Sequence, residues 1–278
     1  LSKSPYRRHL IIPDTQAKPG VPTDHHKWIA QAVIDYQPDV VIHVGDNADM
    51  PSLSQHEKPG SKKTEGARYE NDIEAANEFF TTYDSVVGLE IKRQSRNKSA
   101  WAPEQVYLLG NHENRITRAV ENDVKYEGTI GLHHLKSPGW KRYPFLQTVD
   151  IDGITYAHYF QSSMSKFAIG GSIDNRLNKI GVSFCQGHQQ GMLYGSRIFP
   201  TGETRHGLVA GSCYLHEEDY RGAQCQRHWR GIVVLNEVKE GDYSIMPLTL
   251  SYLCRKYEKM DLMDYMRKKH PGDWKHLR

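Results

Sequence analysis

Short apolar runs alternate with amphipathic stretches through the first half of the chain. Leu10-Ile11-Ile12, Val40-Val41-Ile42-His43-Val44 and Val106-Tyr107-Leu108-Leu109 are apolar on both faces, the pattern of strands covered on both sides. Between the first two, Trp28, Ile29, Ala32, Val33 and Tyr36 share a helical face behind Thr23, a candidate N-cap, and Pro38 ends the segment. Two such strands joined by a helix predict a parallel βαβ unit. A longer helical stripe (Ile73, Ala76, Phe79, Phe80, Tyr83, Val87) runs from Arg68 to Arg93, and Ile116, Val120 and Val124 mark a helix after the third strand. The polar stretch from Ser52 to Arg68 reads as a loop.

The second half changes period. Gln147–Asp150 and Ile154–His158 flank Asp152-Gly153, a hairpin signal, and Glu240-Gly241-Asp242 marks another turn. Strands are expected at Val182–Gln186, Gly207–Ala210, Gly231–Leu235 and Ser244–Leu248, and an amphipathic helix over Lys259–Lys269 carrying Met260, Met263 and Met266 before Pro271. No linker divides the chain, so the expectation is one two-sheet α/β domain over 1–255 with a helical tail over 256–278 packed on it.

Composition narrows the class. Charged residues are 25% of the chain, which excludes wholesale disorder, and the net charge of +3 permits an anionic substrate without demanding nucleic acid. No apolar stretch is long enough to span a bilayer and no signal peptide stands at the start, so a cytoplasmic protein is expected. The four cysteines form no dense framework, in keeping with reduced thiols. Cys213-Tyr-Leu-His216 and Cys225-Gln-Arg-His228 have spacing that a tetrahedral zinc site could use, but their apolar flanks argue for ordinary strand and loop residues.

The chemistry collects at the predicted strand ends. Asp14 follows the first strand, Gly45-Asp46-Asn47-Ala48-Asp49 the second and Gly110-Asn111-His112-Glu113 the third. His158 ends the Ile154 strand, and Gly187-His188-Gln189-Gln190 follows Val182–Gln186. Each piece alone is a common turn or cap. Together they put oxygen and imidazole donors on the edge where open α/β sheets bind ligands. The ordered set resembles the calcineurin-like metallophosphoesterase family, whose motifs run Asp-x-His, Gly-Asp-x-x-Asp, Gly-Asn-His-Glu, a lone His and Gly-His-x-His. The resemblance spans Leu10 to Leu235, and the Pro-Asp-Thr-Gln start without a capping domain is similar to phage-encoded members, which would place the protein in host cytoplasm.

The resemblance implies a four-layer sandwich of two mixed β-sheets flanked by helices, with two divalent metal ions bridged by Asp46. It gives Asn111, His158 and His188 to one ion, and Asp14 with Gln16 and Gln190 to the other, where the family has histidines. Both departures strike the same ion, and a neutral amide oxygen suits Mn²⁺ or Mg²⁺ better than Zn²⁺, so a retuned, weaker site is expected. His112 would protonate or stabilise the leaving alkoxide, with Asp49 orienting it and Asn111 placing the ester. Glu113 reads as a structural residue of the helix start. Arg115 and Arg118 are candidates for meeting an anionic substrate, although each alone reads as solvated charge.

The function expected is hydrolysis of phosphate esters, with a phosphodiesterase or nuclease ahead of a phosphomonoesterase such as a protein or nucleotide phosphatase. A scaffold that has lost catalysis is the third reading, marked by the same two glutamines. The basic runs Lys58–Arg68 and Lys92–Lys98 leave nucleic acid open as a partner, although charge runs usually mark solvated surface. Oligomeric state is not set by the sequence.

Overall fold

The three apolar runs of the first half become parallel neighbours in one sheet. In the computed structural model, which describes residues 5–54, 66–96, 100–218 and 228–277, the elements begin β1 (Arg7–Ile12), α1 (Asp24–Tyr36), β2 (Val40–His43), α2 (Tyr69–Tyr83), α3 (Leu89–Gln94), β3 (Glu104–Leu108) and α4 (Asn114–Asn122). They continue β4 (Lys141–Tyr143), β5 (Val149–Ile151), β6 (Ile154–Ala157), α5 (Ile173–Ile180), β7 (Phe184–Gln186), β8 (Met192–Ile198) and β9 (Thr204–Ala210). The described chain ends with β10 (Gly231–Lys239), β11 (Asp242–Thr249), α6 (Leu250–Glu258), α7 (Leu262–Lys269) and a short 3-10 turn, Lys275–Leu277.

These strands make two mixed sheets, one ordered β11-β10-β1-β2-β3-β4 and the other β5-β6-β7-β9-β8. The first sheet is parallel from β1 to β4 and antiparallel where β10 and β11 join; in the second, β6, β7 and β9 are parallel. Alternation along β1 sets the layers. Ile11 points inward to a core shared with Ile42, Val106, Tyr156, Cys185 and Leu208, so it lies between the sheets. Leu10 and Ile12 face the other way and pack with Trp28, Phe79, Leu253 and Met266 on the helices α1, α2, α6 and α7. On the far side of the second sheet, Phe184 packs with Leu177 of α5, Phe160 and Ile169. The arrangement is α/β with two mixed sheets, as expected at that level.

Several boundaries differ from the reading of the sequence. The helix expected from Arg68 to Arg93 is α2 and α3 joined through a π-type turn at Asp84–Gly88. The helix after β3 stops at Asn122, leaving Val124 74% exposed, so only the first members of its apolar series are covered. The tail is α6 and α7 rather than one helix over Lys259–Lys269. Lys259 takes a left-handed backbone (φ 55°) that breaks the helix, and the Asp261 carboxylate caps the next one by accepting from Met263 N at 2.9 Å. Thr23 stands before α1, but its hydroxyl donates to Glu78 Oε1 at 2.7 Å instead of capping. The expected loop Ser52–Arg68 falls mostly outside the described residues. No described helix is long and apolar enough to cross a membrane.

Candidate metal centre

The carboxyl ends of β1, β2 and β3 in one sheet, and of β6 and β7 in the other, open toward a common point. Glycine makes that approach possible. Gly45 has φ 103°, and a Cβ there would lie 2.5 Å from His158 Nδ1 and 3.0 Å from the Gly110 backbone; a Cβ on Gly110 would run into the Asp46 carboxylate. Glu113 ties the loops together. Its buried carboxylate accepts from Gly110 N (2.6 Å), Asp46 N (3.1 Å) and Ala48 N (2.8 Å), joining the loops after β2 and β3. Glu113 thus cross-links the two motifs and does not cap α4 with its side chain.

Three residues at the point, Gln16 (φ 46°), Asp46 (φ 50°) and His188 (φ 68°), hold left-handed backbones without being glycine. Such conformations cost about 1–3 kcal/mol each and gather where structure serves a site.

Asp46, His158 and His188 bring ligand atoms within 4.8 Å of one another, which among the described residues is the one grouping of three or more histidine, cysteine or acidic side chains able to hold a metal ion. The Asn111 side-chain oxygen completes it, 2.9 Å from His158 Nε2 and 2.8 Å from His188 Nδ1. His158 Nδ1 lies 2.8 Å from the Val44 carbonyl and so carries the ring's N–H. In the neutral ring its Nε2 is then a bare lone pair facing Asn111 Oδ1 and, at 3.3 Å, Asp46 Oδ2. Acceptors converging on acceptors call for a proton or a cation between them.

The electrostatics say the same. Burial by itself would lower the His158 pKa, but the Asp46 charge beside it pushes the ring up to about 9. His188, with burial and neighbouring His158 against it, is lowered to about 4. Burial and the Asp46 charge raise Asp14 to about 7. Asp46 is itself held below the usual carboxylate range, because His112 and His158 outweigh its burial.

Asp14 and Gln16 lie beside this group. Asp14 Oδ1 accepts from the His188 backbone N at 3.1 Å, while Asp14 Oδ2 is buried with no donor. Gln16 is fully buried; its amide nitrogen reaches Asp46 Oδ2 at 3.3 Å, and its Oε1 has no donor either. Two buried acceptor oxygens without donors fit a cation. Gln190 is buried too, and its Oε1 accepts from the Tyr214 hydroxyl at 2.7 Å. Tyr214 follows Cys213, whose backbone N binds the Asp14 carbonyl at 2.7 Å. Gln190 is thus linked to the Asp14 segment through Tyr214, a residue no motif pointed to.

His112 borders the group. Its Nδ1 sits 2.9 Å from Asp49 Oδ1, and its backbone N donates to Asp46 Oδ1 at 2.9 Å. Burial opposes protonation of the ring, but the Asp46 charge and the Asp49 hydrogen bond raise it to about 9. Arg115 turns back onto this pair, donating to the Asp49 carbonyl at 2.7 Å, with Nη2 3.4 Å from His112 Nε2. It braces Asp49 and His112. Arg118 is exposed one turn further along α4. Lys18, unremarked in the sequence, lies 3.1 Å from Glu218 and 3.9 Å from Asp49.

Among the described residues Cys213, His216 and His228 form no metal-holding group. Cys213 is buried in the helix-side core and His216 Nε2 pairs with Glu218 Oε1 at 2.7 Å, while Cys225 lies outside the described residues. His228 stacks near Tyr214, with ring centroids 5.5 Å apart.

No family model matches the chain. The Gene 54 protein of Mycobacterium phage D29 is 29% identical over 147 residues, covering 48% of this chain and 54% of its own length. The chain therefore spans about half the length of that curated relative, and the likeness carries a link to phage proteins without a stated activity.

Proposed function

We propose that the protein is a metal-dependent phosphoesterase with the calcineurin-like metallophosphoesterase fold, acting on phosphodiesters. The observation that carries this reading is the convergence of Asp46, Asn111, His158 and His188 lone pairs beside the Asp49–His112 pair. Asp46, Asn111, His158 and His188 would hold one divalent ion; Asp14, Gln16 and Gln190 would join Asp46 around a second, more weakly held one. The all-oxygen character of that second set favours Mn²⁺ or Mg²⁺ over Zn²⁺. When bound, such ions acidify an attacking water and offset the charge on the phosphate.

The chain's own side chains supply the rest. Asp49 fixes the His112 ring by its Nδ1, and Nε2, which lies 3.4 Å from Arg115 Nη2, is the nitrogen that would deliver a proton to the leaving oxygen. Arg115 holds the Asp49 backbone in place from behind. The amide of Asn111 lies against both histidines, where it orients the ester as well as the ligands. The diester is favoured over the monoester because Arg115 and Lys18, the cations beside His112 and Asp49, are engaged by Asp49 and Glu218. A monoester dianion would draw on cations held free for it.

Hydrolysis of an aryl phosphodiester and of the matching monoester, each with manganese, magnesium or zinc, tests the reading. Diester turnover with manganese that disappears in His188→Ala is the expected result. No turnover of either ester with any of the three metals would return the protein to the scaffold reading.

A further inference from the structure

The chain spends an unusual anchor on the segment that follows His158. Phe160 to Ile169 folds back on itself: Gln161 bridges Ala168, Ile169 N donates to the Phe160 carbonyl at 2.7 Å, and Gln161 Nε2 donates to the Lys166 carbonyl at 2.6 Å. Its base is clamped by Arg176, which is 1% exposed. That guanidinium donates to the carbonyls of Ile169 (2.7 Å) and Gly171 (3.0 Å) and to the Gln189 side chain. A buried guanidinium met by neutral oxygens is costly. What it secures is the register of this hairpin against the His188-Gln189-Gln190 loop.

The tip so secured is apolar and bare. Met164 is 92% and Phe167 84% exposed, the most exposed large apolar side chains among the described residues, and Lys166 stands exposed between them. Leaving such groups in water forgoes the gain of burying them. The chain that enters the hairpin from His158 is aromatic, Tyr159-Phe160. The Tyr159 ring lies tilted 4.6 Å from the His188 ring and meets the Phe145 ring edge-on at 5.5 Å, and Tyr159 and Phe145 are half-buried.

We infer that this hairpin, with Tyr159 and Phe145 at its foot, is a docking wall for the bases of a single-stranded nucleic acid whose phosphodiester lies over the Asp46–His158–His188 group. The inference rests on the phosphoesterase reading. Phosphodiesters that carry flat apolar faces on either side are nucleic-acid strands, and exposed aromatics interleaved with a cation are how such strands are held without regard to sequence. The wall reads stacking faces; the cation at Lys166 meets the backbone.

The test is the anisotropy of a short fluorescein-labelled single-stranded DNA titrated with manganese-loaded protein. A His112→Ala background prevents turnover, and M164S/F167S is compared with its parent. The double variant binds about tenfold more weakly or worse, as expected for the loss of one stacked base, with an unchanged salt slope because no charge was removed. Phe167→Tyr restores the ring, and in the parent background it binds as the parent does. Equal affinity of parent and double variant overturns the inference, as does a tyrosine variant that binds like the serine one. Loss of binding to anionic phospholipid vesicles with DNA binding intact would assign the tip to a lipid surface instead. Aryl diester hydrolysis by the wild type decides the underlying reading separately, so the two can fail independently.

Discussion

The candidate centre has two sides, and they are built on different principles. On the side made by Asp46, Asn111, His158 and His188, Asn111 Oδ1 lies 2.9 and 2.8 Å from the two rings and His158 Nε2 lies 3.3 Å from Asp46, with His158 fixed by Val44 O. On the Asp14 side every donor is an oxygen: Asp14 Oδ2 and Gln16 Oε1 lie buried without partners, and Gln190 is steadied by Tyr214. The first side is preorganised by nitrogen and charge, the second by burial and a neutral amide. On the proposed reading, the difference teaches how a binding pole would be weakened without being dismantled. A carboxamide in place of an imidazole would keep a lone pair and change which ion prefers it.

The largest effect should come from the nitrogen side. Asp46→Asn or His188→Ala removes a member of the group, and manganese binding measured by calorimetry should lose its tighter phase together with all diester turnover. Retention of the tight phase in both variants would break the comparison.

His112→Ala separates chemistry from metal binding. Loss of a general acid typically costs about 10²–10⁴ in rate. That loss is expected for a diester with an alkoxide leaving group and should shrink for a nitrophenolate, which needs no proton. Manganese affinity should change little, because the His112 side chain is held by Asp49 and its backbone bond to Asp46 survives the substitution.

On the oxygen side, Tyr214→Phe releases Gln190. Removing a partner that orients a ligand weakens metal affinity by about ten- to a hundredfold. Only the weaker phase of the manganese titration should move. Gln190→His sharpens the same contrast by raising zinc over manganese at that pole, read by competition between the two ions.

The smallest effect lies away from the centre, at histidines buried with no carboxylate in hydrogen-bond contact. His25 and His26 are buried with none of their ring nitrogens hydrogen-bonded, and burial lowers His26 to about 3 and His25 well below its ordinary value. Their folded-state pKa is depressed, so below pH 6.5 the unfolded chain binds more protons. Stability is whole above that pH and falls as the pH drops toward 3. His26→Phe should flatten the decline by about 1.4 kcal/mol per pH unit in denaturant melts. An unchanged slope would mean His26 is already charged when folded.

Much of this was readable because the chain writes its inner layers in continuous apolar runs. β1, β2 and β3 carry Ile11, Ile42 and Val106 into the space between the sheets, and each ends in a turn bearing a donor. Among the donors at such strand ends are Asp46, His158 and His188, which the fold brings together. What stayed hidden lacks a periodic signal. β8 is an edge strand exposed along most of its length, so its pattern resembles a loop, and β4 is three residues long. Tyr214 and Arg115 act through partners distant in sequence, and nothing in their neighbours announces a hydroxyl aimed at Gln190 or a guanidinium folded onto Asp49. The left-handed backbones at Gln16, Asp46 and His188 were equally silent, because turns favour glycine there and these positions use the side chain instead.

The most direct test is anomalous scattering from crystals of the protein grown with manganese, measured at the manganese edge. A strong peak enclosed by Asp46, Asn111, His158 and His188, and a weaker one toward Asp14, Gln16 and Gln190, is the result the account predicts. Clear density for those side chains with no anomalous peak among them would contradict it.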